Sequence, residues 1–279
     1  MIRIAVPNKG ILAQTAAQML AEAGYHGRND TKDLIVADPA NDAEFFYLRP
    51  RDIATYVGGG ALDVGITGRD LLLDSGSSAI ELDALGFGRS QFRFAGPADA
   101  FQEPADLNGT RVATSYPGLV GRYLTDHGVT VRLVTLDGAV ESAVRLGVAD
   151  AVADVVQTGA TLRKQGLRIF GPVILDSEAV LIGNGHRPEG LATLKRRLDG
   201  VIVARRFVLI EYDLPADLLE QAVALTPGSE SPTVSPLRDA GWVAVRAMVS
   251  REKTNDVMDD LYDLGARAIL VTPIHAARM

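Results

Sequence analysis

The segment DVVQTGATL, residues 154–162, carries residue types that can hold an anion where a strand gives way to a helix. Gly159 lets the backbone approach a ligand closely, Thr158 and Thr161 offer hydroxyls, and the residues that follow are compatible with a helix whose first amides lack partners. The whole run from Asp154 through Val155, Val156, Gln157, Thr158, Gly159 and Ala160 to Thr161 follows the apolar stretch LGVADAVA. Asp154 could accept hydrogen bonds from sugar hydroxyls or help hold a magnesium ion. The same residues also describe an ordinary strand-to-helix turn with a threonine N-cap, so the local chemistry leaves both readings open.

Other segments offer complementary groups. In VPNKG (6–10), Lys9 could meet a phosphate at a helix start, with Gly10 allowing close approach; an exposed lysine in a tight turn is the alternative. LRPRD (48–52) sets Arg49 and Arg51 beside Pro50, and guanidinium forks match phosphate oxygens. GITGRDLL (65–72) places Gly68 and Asp70 at a strand end and a first helical turn, where a carboxylate also favours the helix dipole. Ser90, with Arg89, precedes a strand in GFGRSQFRF, a candidate hinge. Tyr116, ahead of a Pro-Gly helix start, could stack on a base or pack against the core. LDGAVE (136–141) is expected to open a helix, with Glu141 compensating its dipole.

Several chemistries are excluded. The chain has no cysteine, which removes disulfides, thiolate nucleophiles and cysteine metal sites. His26, His127, His186 and His275 lie far apart with no i, i+4 pair, against a histidine zinc site. No Ser-His-Asp ordering or GxxxxGK[ST] loop is present. A net charge of −7 argues against nucleic acid as a partner, though a locally basic pocket remains compatible with it. The start MIRIAVPNKG has no signal-peptide pattern, and no apolar run suffices for a membrane span, so a cytoplasmic protein without a membrane partner is expected.

The elements that must position these groups alternate. Strand candidates are 2–6, 33–37, 44–48, 63–67, 92–96, 111–115, 131–135 and 151–156, with helices such as ILAQTAAQMLAEAG between them. Alternation of this kind implies a parallel or mixed sheet covered by helices. GALDVGITGRDLL (60–72) and GVADAVADVVQTGATL (147–162) echo one another, which suggests two similar lobes with equivalent loops facing one cleft. Beyond about residue 200 the pattern changes. Strand 206–214, helix 215–225, a turn-rich segment 226–237, strand 242–249, helix 254–265 with Thr254 as N-cap, and strand 267–274 point to a small ferredoxin-like domain.

Taken together, VPNKG, FFYLRPRDI, GALDVGITGRDLL, LDGAVE, DSEAVLI, ALTPGSESPT and above all ADVVQTGATL resemble the long form of ATP phosphoribosyltransferase, over essentially the whole chain. The single aspartate before the loop departs from the paired acidic signature of the more familiar phosphoribosyltransferases. The resemblance implies two α/β lobes of the periplasmic-binding-protein type II kind plus a C-terminal ferredoxin-like (βαββαβ, ACT/PII-like) regulatory domain. The implied bounds are 1–91 with 179–203, then 92–178, then 204–279. It implies condensation of ATP, through adenine N1, with C1 of phosphoribosyl diphosphate (PRPP), with Mg2+ present, as the first step of histidine biosynthesis. On that reading Asp154 to Thr161 hold PRPP and Asp154 helps bind the metal. Lys9 and Arg49 face polyphosphate, with Gly10 also in the ATP site, while Gly68, Asp70, Leu71, Ser90 and Tyr116 surround the nucleotide. No general base is evident. The resemblance also points to Asp213, Ser229, Glu230, Ser231, Thr233 and Ala268 as a site for inhibitory histidine, and to a homodimer and homohexamer. A cytoplasmic ligand sensor on the same lobes, or a solute-binding protein, would share the fold without turnover.

Overall fold

The computed structural model describes residues 1–278, which divide into two compact units: 1–21 with 25–192, and 22–24 with the residues from 193 onward. In the first unit, β1 (Ile2–Pro7) leads through α1 (Ile11–Glu22) and β2 (Ile35–Asp38) to β3 (Ala43–Leu48). Then come α2 (Pro50–Gly58), β4 (Val64–Gly68), α3 (Arg69–Ser75) and β5 (Ile80–Ala84). A second run comprises β6 (Ser90–Pro97), β7 (Arg111–Thr114), α4 (Pro117–Asp126), β8 (Arg132–Thr135), β9 (Ala151–Val156), α5 (Ala160–Lys164) and β10 (Leu167–Ser177). β11 (Ala179–Gly183) returns to the first sheet, whose order is β2-β3-β1-β4-β11-β5, beside a second of order β10-β6-β9-β7-β8.

The two sheets are topological copies. β3-β1-β4-β11-β5 superposes in order on β8-β7-β9-β6-β10, and each neighbouring pair keeps the same parallel or antiparallel sense. The chain crosses between sheets twice, once through 85–89 and once at Glu178, so the first sheet receives antiparallel β11 only after the second sheet is complete. The equivalence extends to side chains. At the start of β1, the Arg3 amide and guanidinium donate to Asp63 just before β4. At the start of β7, Arg111 does the same to Asp150 just before β9. The segments that echo in sequence therefore occupy the same place in two lobes.

Local sequence explains the elements. β1 and β4 are buried almost throughout, as central strands covered on both faces must be. α1 turns Ala16, Met19 and Leu20 inward. Phe92, Phe94, Val112, Val120 and Leu124 fill one face of the second sheet, while Ala95, Ala113, Val140 and Val152 fill the other. β5, β10 and β11 were not among the alternating strand candidates. β11 is an apolar run with every residue buried, and β10 is broken in register between Phe170 and Leu175. LDGAVE does not open an α-helix: Val140–Ser142 is a single 3-10 turn, preceded by Ala139 in the left-handed region.

In the second unit, α6 (Leu191–Arg206) precedes β12 (Phe207–Pro215), α7 (Leu219–Leu225), β13 (Thr233–Pro236), β14 (Trp242–Ser250), α8 (Thr254–Leu264) and β15 (Arg267–Pro273). The antiparallel order β13-β14-β12-β15 is the ferredoxin-like arrangement. Its core gathers Val208, Ile210, Tyr212 and Leu214 of β12 with Ala222 of α7 and Leu261 of α8. β13 lies inside the turn-rich segment 226–237 and supplies the second strand of the ferredoxin-like order. Thr254 begins α8, but its hydroxyl donates to the Ser250 carbonyl, so it does not cap the helix.

Candidate functional site

Parallel strands bring all their C-terminal ends to one edge of a sheet, which is why loops there can converge on a ligand. In the first lobe those ends carry Lys9 after β1, Arg49 after β3, and Gly68 with Asp70 after β4. The second lobe supplies Tyr116 after β7, Leu136 and Asp137 after β8, and Gln157 to Thr161 after β9.

Three cavities open along these ends. One, of about 350 Å³, is walled by residues 155–162 and by Ile11 of α1. A second, of about 210 Å³, touches Lys9, Gly10, Gly68, Asp70, Leu71, Ser90 and Tyr116, and shares Ile11, Val155 and Gln157 with the first. A third, of about 550 Å³, adds Arg49 and Arg51 opposite Ser115 and residues 135–137, and shares Lys9, Pro50 and Leu71 with the second. The shared walls make one continuous cleft, and every residue expected around the nucleotide or the loop lines it except Asp154.

The carboxylates explain how the cleft is wired. Asp70, almost fully buried, accepts from the Ser177 hydroxyl at 2.8 Å, while its own amide donates to the same oxygen at 3.1 Å. Tyr116 has its hydroxyl pKa pushed far up, by burial first and by the Asp70 charge next. Its ring meets Phe92 edge-on at 5.1 Å, and the Arg51 guanidinium lies 5.0 Å from the ring centroid. The edge-on contact with Phe92 is the packing expected of Tyr116. Asp154, behind the loop, is pushed up to about 6, chiefly by burial, with Glu141 and Asp70 adding repulsion. The Val155 amide, donating at 2.7 Å, and Arg51 act in the opposite sense.

The loop after β9 is open where its counterpart is closed. Gln157, Thr158, Ala160 and Thr161 are exposed. Gly159 sits at φ 67°, and the Thr158 hydroxyl accepts weakly from the Ala160 amide at 3.4 Å. α5 is a single turn of five residues, so its amides and not a macrodipole would carry an anion.

Sequence reasoning did not find Arg51's actual setting, the Ser177 partner of Asp70, or the Ser115 and Asp137 walls. Ser177 and Asp70 are 107 positions apart, and no local pattern links them. In the second unit, Asp213 on β12 pairs in register with Ala244 and Arg267, and a bulge intervenes before Leu270. Ala268, at φ 50°, lies in that bulge, while Ser229, Glu230 and Ser231 are exposed ahead of β13, on which Thr233 sits. Among the described residues no cluster of three or more His, Cys, Asp or Glu side chains could hold a metal alone, and no helix is long and apolar enough to cross a membrane.

Two lobes of duplicated topology with a polar cleft at their strand ends, and an added ferredoxin-like sheet, define a periplasmic-binding-protein type II scaffold carrying an extra domain. Residues 49–200 match the ATP phosphoribosyltransferase family, and residues 204–276 match the family described as HisG, C-terminal domain. An ATP phosphoribosyltransferase of Paenarthrobacter aurescens is 62% identical, and one of Micrococcus luteus 61%, each over the whole of both chains. The fold resembles the ATP phosphoribosyl transferase (HisG:HisZ) complex from Thermotoga maritima, with a TM-score of 0.64 and 27% identity over 72% of this chain and 98% of that one. The chain belongs to the ATP phosphoribosyltransferase family, pentosyltransferases of the first step of histidine biosynthesis.

Proposed function

We propose that the cleft joins adenine N1 of ATP to C1 of PRPP with release of pyrophosphate, the first lobe comprising 1–91 with 179–203 and the second 92–178. The observation that carries this reading is the continuity of the open 157–161 loop with a cavity bearing Lys9 and Arg49. A sugar phosphate fits the exposed amides and the Thr158 and Thr161 hydroxyls, with Asp154 behind them facing ribose hydroxyls. Lys9 and Arg49 meet polyphosphate oxygens. Gly68, Asp70, Leu71, Ser90 and Tyr116 surround the nucleotide. Displacement at C1 builds positive charge on the ribose and negative charge on the departing pyrophosphate. Positioning and fixed cationic groups then supply most of the acceleration.

Among the described residues no three carboxylates or histidines group into a metal cage, so Asp154 would suit Mg2+ bound mainly through substrate oxygens. When bound there, Mg2+ would neutralise diphosphate charge. The chain's own residues do the remainder: the loop orients the ribose, and the cationic side chains hold the leaving group. In the C-terminal domain (204–279) we assign Asp213, Ser229, Glu230, Ser231, Thr233 and Ala268 to a histidine site. An acidic group there would meet the ammonium and a hydroxyl-rich loop the carboxylate, giving feedback inhibition in a cytoplasmic homodimer and homohexamer.

Turnover decides the matter. Protein with ATP, PRPP and Mg2+ should form N1-phosphoribosyl-ATP, and histidine should suppress it. Product insensitive to histidine would retain the cleft and remove the regulatory assignment. ATP binding without product, with pyrophosphate removed, would leave a ligand sensor.

A further inference from the structure

Asp74, near the end of α3, joins three groups that the proposed reaction needs in fixed places. One oxygen, Oδ1, accepts the amides of Gly118 at 2.9 Å and Leu119 at 3.1 Å, in the first turn of α4. The other, Oδ2, accepts the Arg51 guanidinium at 2.8 Å. The Asp74 side chain is only 8% exposed and its contacts to the α4 amides are partly buried, while Arg51 stays half-exposed. Tyr116 occupies the N-cap position of α4 without a capping side chain of its own, and a carboxylate from the other lobe fills that role. The chain has made room for this approach: a Cβ at residue 118 would collide with the Asp74 carbonyl oxygen. Arg122 of α4 also donates to the Leu73 carbonyl, fastening the same junction.

Arg51, held by Asp74, in turn lies over the Tyr116 ring, and it lines the same cavity as Lys9 and Arg49. Moving the first turn of α4 would move Tyr116, and releasing Arg51 would swing a cation off the ring. We propose that Asp74 is a positioning residue of the transfer reaction. By capping α4 across the lobes and pinning Arg51 on Tyr116, it sets the nucleotide side of the cleft. The inference rests on the assignment of that side to ATP.

Asparagine separates the two functions of the carboxylate, because it keeps an acceptor for the α4 amides and loses the charge paired with Arg51. In steady-state kinetics on the full chain, Asp74→Asn should raise KM for ATP about tenfold while KM for PRPP stays within about twofold. Adding Arg51→Ala should make the double variant no worse than Arg51→Ala alone, since both remove one pair. Amide exchange at Gly118 and Leu119 should remain slow in Asp74→Asn and become fast in Asp74→Ala. Multiplying losses in the double variant, an equal rise in both KM values, or unchanged exchange in Asp74→Ala would overturn the proposal. If Tyr116→Leu leaves KM for ATP unchanged, the nucleotide assignment fails instead. The exchange pattern at α4 tests the capping contact independently of it.

Discussion

The β4–α3 and β9–α5 junctions occupy equivalent places in two lobes and have been built for opposite ends. At the first, the chain passes from Gly68 directly into α3, Thr67 is fully buried, and its hydroxyl donates to the Pro50 carbonyl at 2.8 Å. At the second, Gln157, Thr158 and Gly159 intervene before the helix, with Gln157 and Thr158 exposed and Gly159 buried. One lobe uses its junction for an internal hydrogen bond; its copy exposes Gln157, Thr158 and Thr161. A duplicated fold supplies two similar strand ends, and a few inserted residues decide which of them is left open to solvent.

The largest separation of the two junctions should come from Gly159→Val. Its left-handed φ of 67° is strained for a β-branched residue. Loop geometry should change enough to lower kcat/KM for PRPP on the order of 100-fold, with little change in Tm. A loss of stability without loss of turnover would mean that the loop is merely a turn.

Asp154→Asn should next lower turnover while raising stability. A carboxyl pushed up to about 6 from its ordinary 3.8 binds its proton more tightly in the folded protein. Its contribution therefore declines as pH rises from about 4 through about 6, and ionised Asp154 costs up to about 3 kcal/mol above that window. The neutral asparagine retains an acceptor for the Val155 amide. Denaturant titrations should show the variant more stable than wild type at pH 7.5 and equal to it near pH 4. Equal stability at both pH values would remove the buried-charge account.

Thr67→Val should do the reverse, losing about 1–2 kcal/mol of stability by leaving the Pro50 carbonyl short of a partner, with turnover retained. The smallest effects belong to the paired clamps. Arg3→Ala and Arg111→Ala should each lower stability only slightly, because both ion pairs are partly exposed and screened by water. The Asp150 carboxyl is held below its usual value chiefly by the Arg111 side chain. The Arg111 contribution should accordingly be present above the ordinary aspartate range and fade as pH falls through the depressed value. Unequal losses at neutral pH would show that the two lobes no longer share this device.

Legibility differed by region for physical reasons. The 60–72 and 147–162 echo could be read from sequence because the same strand-end chemistry recurs within a few residues of a glycine. β11 could not be read as a strand from alternation, because a strand covered on both faces loses its period. The LDGAVE segment looked like a helix start, yet Ala139 is left-handed there and only a 3-10 turn forms. β13 hid inside a segment dense in proline and serine, where an edge strand tolerates proline that a central one would reject.

The amino-acid sequence alone determined which segments end strands in Gly, Thr, Lys and Arg, since these types follow from local backbone and charge requirements. Only tertiary structure decided which of those ends share a cleft. Asp70 meets Ser177, Asp74 meets Arg51 and α4, and Asp154 feels Glu141 because crossing strands bring distant residues together. Desolvation and pairing, which set the behaviour of those carboxylates, are properties of the assembled neighbourhood and belong to no single segment.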